Sequence, residues 1–262
     1  MLRTEGSVVL KMRLKDKVVI VTGSRRGLGK AYALALAKEG ASVVVTDIVT
    51  EGLDEAVAEI EKQGGKAVAV KVDVSSEADT KRLAEETVKK FGRIDVLVNN
   101  AAYFSALKRR PFFEIDVEEW DKVLSVNLRG VWLCTKAVFP YMKSQSSGKI
   151  VNISSGTFFN GSPGFAHYVS AKGGVIGLTR ALSRELGQYN ITVNSLAPGY
   201  TVTEATISMD NEEYRSRALE PRTIKRNEVP SDLVGPMLFL CSEESDFMTG
   251  QTILVDGGRG MH

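Results

Sequence analysis

Short runs of valine and isoleucine alternate along this chain with segments that have the apolar spacing of helices. Runs such as 18–21, 43–45 and 96–98 are continuous rather than alternating, which is typical of strands buried on both faces. Strands that alternate with helices predict right-handed βαβ crossovers. The sequence therefore predicts an α/β fold: a single-domain, Rossmann-like, doubly wound parallel sheet with helices on both faces.

The same pattern gives the predicted domain limits. The 262 residues suit one large α/β domain, which we place at 14–262 after an N-terminal extension, 1–13. The organised pattern begins just after Met12, so Met1 and Met12 both stay open as the start. The polar stretch at about 200–228 is predicted to be a lid rather than a second domain. Helices are predicted over 28–38, 53–63, 77–91, 120–142, 168–188 and 233–241.

Composition argues against several classes of partner. The 34 basic and 32 acidic residues are spread along the chain, which predicts no nucleic-acid partner. No apolar run approaches the roughly 20 residues of a membrane span, so no membrane partner is expected. Cys134 and Cys241 lie in apolar helical patterns and are interpreted as reduced, which predicts a cytoplasmic protein. With His167 and His262 they lack metal-ligand spacing, so no metal site is predicted.

A glycine-rich turn, TGSRRGLG at residues 22–29, follows the first predicted strand and opens a helix. Its glycines allow a tight turn, close approach to a pyrophosphate and close helix packing. Asp47, at the end of the second strand, can accept both ribose hydroxyls of an adenosine, which favours NAD. Arg26 favours the 2′-phosphate of NADP, or both Arg25 and Arg26 are simply solvated on an exposed turn. The predicted cofactor is NAD, with NADP as the second choice.

Tyr168 and Lys172 are four residues apart in a predicted helix and therefore share a face. A nearby cation is expected to lower the tyrosine pKa below its ordinary value of about 10, which suits a general acid or base. Taken alone, the pair equally fits a half-buried aromatic beside a surface lysine. Ser155 lies thirteen residues upstream of the tyrosine.

Further motifs follow in chain order: Asn99-Asn100-Ala101-Ala102, Asn127 in SVNL, Ser155, Tyr168 with Lys172, Pro198-Gly199 and Asp256-Gly257-Gly258. With the glycine turn, they make the chain from Leu14 to Gly258 similar to the short-chain dehydrogenase/reductase family, in its compact single-domain branch. One departure is Ala102, where the family usually has glycine.

The resemblance implies an NAD(P)-dependent enzyme that acts on CH–OH groups. Tyr168 would transfer a proton at the substrate oxygen, and Lys172 would lower its pKa and hold the nicotinamide ribose. Ser155, rather than its neighbour Ser154, would bond the carbonyl oxygen, and Asn127 would hold a water in a proton relay. The predicted cofactor-binding residues are Gly23, Arg26, Gly27, Leu28, Gly29, Asp47, Asp73, Val74, Asn100, Ala101, Ala102, Tyr168, Lys172, Pro198, Gly199 and Thr203. Asp73 equally fits a helix N-cap with Ser75 and Ser76.

The substrate is less constrained. With Ser155, Phe158 and Tyr200 are the predicted substrate residues. Other candidates for an apolar wall, each of which equally fits simple packing, are Thr157, Phe159, Tyr103, Phe104, His167, Ile207 and Met209. The stretch from Gly156 to Gly161 and the end of the chain resemble NAD-dependent dehydrogenases of cyclic and aromatic alcohols, which favours a secondary alcohol and its ketone as small-molecule substrates.

Two alternatives stay open. A 3-oxoacyl-(acyl carrier protein) reductase using NADP is the first, with Lys108-Arg109-Arg110 either docking the anionic carrier or forming a solvated loop. A non-catalytic NAD-binding sensor is the second, and it has no need of the four residues implied to be catalytic. The helices predicted at 120–142 and 168–188 are apolar on more than one face, which predicts that they bury a face against another subunit. Because the family that the chain resembles commonly forms tetramers, a homotetramer is expected.

Overall fold

Seven parallel strands form the centre of residues 12–209 and 218–261, the part of the chain that the computed structural model describes. The strands are β1 (Val18–Thr22), β2 (Ser42–Asp47), β3 (Lys66–Lys71), β4 (Val96–Asn99), β5 (Gly148–Ile153), β6 (Ile191–Pro198) and β7 (Thr252–Val255). The helices are α1 (Gly27–Lys38), α2 (Leu53–Lys62), α3 (Glu77–Phe91), α4 (Val117–Leu124), α5 (Gly130–Gln145), α6 (Gly156–Asn160), α7 (Ala166–Leu186), α8 (Glu204–Met209) and α9 (Pro230–Cys241). The strand order is β3-β2-β1-β4-β5-β6-β7.

Helices cover both faces of this sheet. Successive strand residues point to opposite faces, so Val19 and Val21 pack with α1, α2 and α9, whereas Ile20 packs with α3, α5 and α7. All five residues of β1 are buried, as a strand covered on both sides requires. The predicted doubly wound parallel sheet is confirmed.

The direction of winding reverses between β1 and β4, which pair along their length. In open α/β sheets, ligands bind at such a switch point, beyond the carboxyl ends of the strands. Asn100, just after β4, donates from its amide nitrogen to the carbonyl oxygens of Thr22 and Gly23, each at 2.9 Å. The end of β4 therefore holds the glycine turn that follows β1.

The long helix predicted at 120–142 is longer and is not uniform. It begins as α4, passes through a π-helical turn over Ser125–Arg129, and continues as α5. Such turns insert a residue into the helix and recur at functional sites. The helix predicted at 168–188 begins two residues earlier, at Ala166. The short helices α6 and α8 were not predicted, because five or six residues carry too little periodicity.

Two predicted segments fall partly outside the described residues. Residues 1–11 of the N-terminal extension lie outside the described residues. So do residues 210–217 of the lid predicted at about 200–228. The described parts of that lid are joined at its base, where Thr201 pairs with Glu228 and the Thr201 hydroxyl donates to the Glu228 carboxylate at 2.6 Å. Buried Arg222 donates to the Tyr200 carbonyl at 2.6 Å. Its action as a lid stays a prediction.

Candidate active site

A cavity of about 470 Å³ lies beyond the carboxyl ends of the central strands. It runs from the glycine turn to the start of α7 and the segment after β6. Every residue predicted to bind the cofactor lines it, together with Ser155 and Tyr200 of the predicted substrate residues. The fold therefore brings residues from seven separate stretches of sequence to one surface, although their roles remain predictions.

The glycine turn has no room for side chains at two positions. A Cβ on Gly29 would lie 2.2 Å from the carbonyl oxygen of Gly23 and 2.5 Å from the amide nitrogen of Asn100. Gly23 has a φ of +64°, and a Cβ there would lie 2.7 Å from the Cα of Ala101. Because the turn leads into the N-terminus of α1, its backbone N–H groups can cradle a dinucleotide pyrophosphate. The residues present therefore fit this cofactor.

A carboxylate and a guanidinium face each other at the adenosine end of the cavity. Asp47 Oδ1 accepts from the Val49 backbone N–H at 3.2 Å and lies 3.9 Å from Arg25 Nε. The Arg25 Nε is buried and has no hydrogen-bond partner among the described residues. Arg25 is therefore not the solvated turn residue that one interpretation of the sequence offered.

Arg26, in contrast, is exposed. Its Nη2 donates to the Ser105 hydroxyl at 3.4 Å, from the segment that follows β4. Arg26 therefore reaches from the glycine turn to the opposite side of the cavity mouth.

Asp73 lines the cavity and also makes a local turn. Its Oδ1 accepts from the Ser75 backbone N–H at 2.9 Å and from the Ser75 hydroxyl at 2.6 Å. The cap of α3 is Ser76, whose hydroxyl accepts from the Asp79 N–H at 3.2 Å. Asp73 therefore belongs to the capping turn before α3, with Ser75 and Ser76 as the alternative interpretation expects, and the N-cap residue itself is Ser76.

Tyr168 and Lys172 project from one face of α7 into the cavity. Tyr168 is 7% exposed, and the Ser155 hydroxyl is near enough to lower the pKa of its phenol by hydrogen bonding. The Lys172 side chain is 2% exposed, and its Nζ donates to the Ile153 carbonyl at 2.7 Å. The fold thus assembles three of the four residues predicted to be catalytic.

The pKa prediction for the tyrosine is wrong. Burial raises the pKa of Tyr168 to about 12, and the hydrogen bond from Ser155 offsets only part of that effect. Burial also lowers the pKa of Lys172, to about 8. The sequence argument counted the attraction of a nearby cation and left out the cost of burying the phenolate. The Tyr168 hydroxyl is therefore protonated at neutral pH.

The two neighbouring serines have different partners. Ser155 caps the short helix α6, where its Oγ accepts from the Thr157 N–H at 3.2 Å, and it also reaches Tyr168. Ser154 donates to the Lys172 backbone carbonyl at 2.9 Å. Ser155 is therefore the serine that contacts the tyrosine, as the thirteen-residue spacing predicts.

The structure does not bring the Asn127 side chain to the cavity. Asn127 is fully buried in the π-helical turn. Its amide oxygen accepts from the Tyr103 N–H at 2.7 Å, and its amide nitrogen donates to the Tyr103 carbonyl at 3.2 Å. The side chain therefore holds the segment after β4, and a role for Asn127 in a water relay stays a prediction.

Aromatic rings surround the tyrosine. Phe104 lies 4.8 Å from Tyr168 between ring centres, and Phe165 lies 6.4 Å away. Both line the cavity. Phe165 was missed because it lies in an irregular segment just before α7, where no periodicity indicates its direction.

Three predicted wall residues lie outside the cavity wall. Phe158 is 43% exposed and is absent from the cavity wall, because its ring packs over Gly173 on α7. His167 is fully buried and bonds to Glu119 rather than facing the cavity. Ile207 is exposed outside the wall, and the side chain of Met209 lies outside the described residues.

Two features are absent from the described residues. No helix in the described ranges is long and apolar enough to cross a membrane. In the same ranges, no group of three or more His, Cys, Asp or Glu side chains is arranged to hold a metal ion. Cys134 and Cys241 are buried free thiols, and burial raises the pKa of each to about 12.

Comparisons with known proteins agree with this architecture. Residues 23–260 match the family model described as Enoyl-(Acyl carrier protein) reductase. The chain is 42% identical over 247 residues to the 3-oxoacyl-[acyl-carrier-protein] reductase FabG of Thermotoga maritima, with 94% of this chain and 99% of that protein covered. It is 39% identical over 250 residues to the (2S)-[(R)-hydroxy(phenyl)methyl]succinyl-CoA dehydrogenase subunit BbsD of Thauera aromatica, with 95% and 99% covered.

A solved structure is similarly close. A protein from Beutenbergia cavernae, provisionally named an NAD(P) dependent gluconate 5-dehydrogenase and solved with bound NADP, superposes with a TM-score of 0.88. It is 36% identical in sequence, and the match covers 95% of this chain and 98% of that one. The chain therefore belongs to the short-chain dehydrogenase/reductase family and is an NAD(P)-dependent oxidoreductase acting on CH–OH groups.

Proposed function

We propose that the protein interconverts a secondary alcohol and its ketone at Ser155, Tyr168 and Lys172. The observation that carries this proposal is the convergence of Ser155, Tyr168 and the buried Lys172 on one cavity wall, where Ser155 lowers the pKa of the Tyr168 phenol. A substrate oxygen placed between the two hydroxyls would be held by both. When bound, the nicotinamide supplies or accepts the hydride.

Each residue has a distinct task in this proposal. Ser155 donates a hydrogen bond to the carbonyl oxygen and stabilises the negative charge that develops there. Tyr168 gives its proton to that oxygen during reduction and takes it back during oxidation. Because the Tyr168 pKa is about 12, the proton that ketone reduction needs is in place at neutral pH. Lys172 holds the nicotinamide ribose.

Other residues hold the rest of the cofactor. The glycine turn binds the pyrophosphate through its backbone, and Pro198 and Gly199 lie against the nicotinamide end. Asp47 accepts the two hydroxyls of the adenosine ribose. A 2′-phosphate at that place would meet the Asp47 carboxylate, a repulsion of roughly 4 kcal/mol per unit charge pair at 4 Å and an effective dielectric of 20. We therefore propose that the protein uses NAD in preference to NADP. Arg25 and Arg26 are the residues whose charge would instead attract a 2′-phosphate.

A 3-oxoacyl thioester on an anionic carrier is the substrate class that the observations favour. Arg109, Lys122 and Arg259 line the cavity, whereas the acidic side chains on its described wall are Asp47 and Asp73, at the adenosine end. The relative from Thermotoga maritima is named for such a reaction. This reading replaces the simple aromatic alcohol as the first candidate.

A cyclic or aromatic secondary alcohol is the second candidate. The rings of Phe104 and Phe165 beside Tyr168 form an apolar surface on which a substrate ring can stack. The Thauera aromatica relative is named for a compound that carries both a phenyl-substituted alcohol and a coenzyme A thioester.

We also propose that copies of the chain associate into a homotetramer. A groove on α4, α5 and α7 is lined by Leu124, Leu128, Trp132 and Leu178, and Trp132 is 43% exposed. Phe247, near the start of β7, is fully exposed. Apolar surfaces of this kind mark contacts with another chain. Light scattering would show a mass near four times 28.5 kDa, and a monomer would contradict the proposal.

The experiment that tests the proposed function follows absorbance at the nicotinamide band. Acetoacetyl-coenzyme A and acetophenone are each offered with NADH and with NADPH. The proposal predicts turnover with NADH and a higher kcat/KM for the thioester, and salt should raise the KM of the thioester alone because its contacts are ionic. A preference for acetophenone would establish the second candidate instead. Tight NAD binding without turnover on any ketone or alcohol would favour the sensor.

A further inference from the structure

His167, the residue just before Tyr168, is fully buried and both of its ring nitrogens have partners. Its Nδ1 accepts from the backbone N–H of Tyr168 at 2.9 Å, and its Nε2 lies 3.0 Å from Glu119 Oε1. An accepting Nδ1 carries no proton, so the ring proton is on Nε2 and is donated to Glu119. The two contacts together fix the orientation of the ring.

The start of α7 explains why the first contact matters. The first backbone N–H groups of a helix have no partner within the helix. The N-cap residue of α7, Phe165, makes no side-chain hydrogen bond to them. Tyr168 is the third residue of the helix, and its N–H is satisfied by His167 instead. The backbone that carries the tyrosine is therefore held by the histidine ring.

The second contact ties that ring to another helix. Glu119 lies on α4, and its Oε2 is 3.2 Å from Arg110 Nη2. The Arg110 backbone N–H donates to the Gly164 carbonyl at 3.3 Å, just before α7. A chain of contacts therefore runs from Arg110 through Glu119 and His167 to the backbone of Tyr168.

We propose that His167 and Glu119 are positioning residues that fix Tyr168 for proton transfer. Neither side chain lines the cavity, so both act through the tyrosine rather than on the substrate. The phenol must stay within hydrogen-bond reach of Ser155 and of the substrate oxygen, and a displacement of about 1 Å can lower a rate roughly 100-fold. This inference rests on the role proposed for Tyr168.

The test measures kcat for ketone reduction in His167→Leu, Tyr168→Phe and the double variant. Because the histidine acts through the tyrosine, H167L should lower kcat about 30- to 100-fold in the wild-type background and less than about threefold in the Tyr168→Phe background. The Kd for NADH should stay within about twofold in all three, since the glycine turn is unchanged.

Two conservative variants separate the two contacts. His167→Asn places an amide oxygen near the position of Nδ1, and His167→Gln places an amide nitrogen near that of Nε2. H167N should retain more of the wild-type kcat than H167Q, because the bond to the tyrosine backbone is the direct one. If H167L does not fold, Glu119→Leu replaces it in the same cycle, with Glu119→Gln as the variant that keeps the acceptor.

Each outcome of this test either supports or overturns the inference. Equal losses from H167L in both backgrounds would show a general structural role and overturn the inference alone. A wild-type kcat in H167L would also overturn the inference. If Tyr168→Phe showed a large loss of kcat in the same experiment, the proposed function would stand. A wild-type kcat in Tyr168→Phe would overturn both.

Discussion

The ammonium nitrogen of Lys172 lies 5.7 Å from the centre of the Tyr168 ring, on the same face of α7. Burial disfavours the charged form of each: it lowers the pKa of Lys172 to about 8 and raises that of Tyr168 to about 12. The pair therefore keeps its phenolic proton at neutral pH, and the lysine is close to its own titration.

The lysine should make stability depend on pH in a defined window. Its pKa is about 8 in the folded chain and 10.5 when unfolded, so between these values the unfolded chain binds the extra proton. Stability therefore rises with pH across the window, and the cost of burying the charge is complete only below pH 8. Lys172→Met removes this dependence. The free energy of unfolding of the wild type, relative to that of the variant, should rise by about 2 kcal/mol from pH 7 to pH 9.5.

Urea unfolding of both proteins at the two pH values measures this difference. Groups that titrate in both proteins, such as the buried thiols, cancel in the comparison. A relative stability that stays flat, or falls, would show that Lys172 is solvated in the folded protein.

The preference for NAD over NADP should depend on the Asp47 carboxylate. Replacing it with Asn removes a charged acceptor for the ribose hydroxyls, and hydrogen bonds to a charged group contribute about 1.5–3 kcal/mol. Asp47→Asn should therefore lower kcat/KM for NAD roughly 10- to 150-fold and raise that for NADP. Asp54→Asn, which removes the same charge from the exposed start of α2, is the matched control. A wild-type enzyme that prefers NADP would refute the assignment of Asp47.

The glycine turn gives a steric prediction. Gly29→Ala places a methyl 2.2 Å from the Gly23 carbonyl oxygen, so the turn must open and its backbone can no longer converge on a pyrophosphate. NADH binding, measured by fluorescence, should weaken at least about tenfold, the loss of one charged hydrogen bond. Gly235→Ala on α9 is the control, because its Cβ meets nothing within 4 Å. That variant should bind NADH normally and gain up to about 1 kcal/mol from helix propensity. Equal binding by both variants would contradict the role of the turn.

The sequence predicted the sheet and most of the cavity wall because both depend on order along the chain. Buried strands and helices alternate with clear periods, and motifs at strand ends meet at one edge of a parallel sheet. Asp47 and Asn100 are examples: Asp47 is the last residue of β2, Asn100 follows β4 directly, and each lines the cavity.

What failed depended on the directions of side chains in short or irregular segments. Phe158 lies on the short helix α6 and Phe165 in the irregular segment after it, yet the first ring packs over Gly173 and the second faces the cavity. The pairing of His167 with Glu119 joins residues 48 positions apart and has no sequence signal. The bonds between the Asn127 amide and the Tyr103 backbone likewise have no sequence signal.

The central claim is that the Tyr168 hydroxyl carries the proton, and the most direct measurement is kcat of Tyr168→Phe. The substitution removes one oxygen and leaves the ring between Phe104 and Phe165. We expect kcat to fall about 10²- to 10⁴-fold, the usual contribution of a positioned acid or base, while NADH binds as before. The control is Tyr189→Phe, because the Tyr189 ring packs on Phe139 away from the cavity. Its kcat should equal that of the wild type. A Tyr168→Phe enzyme that keeps the wild-type kcat would contradict the account.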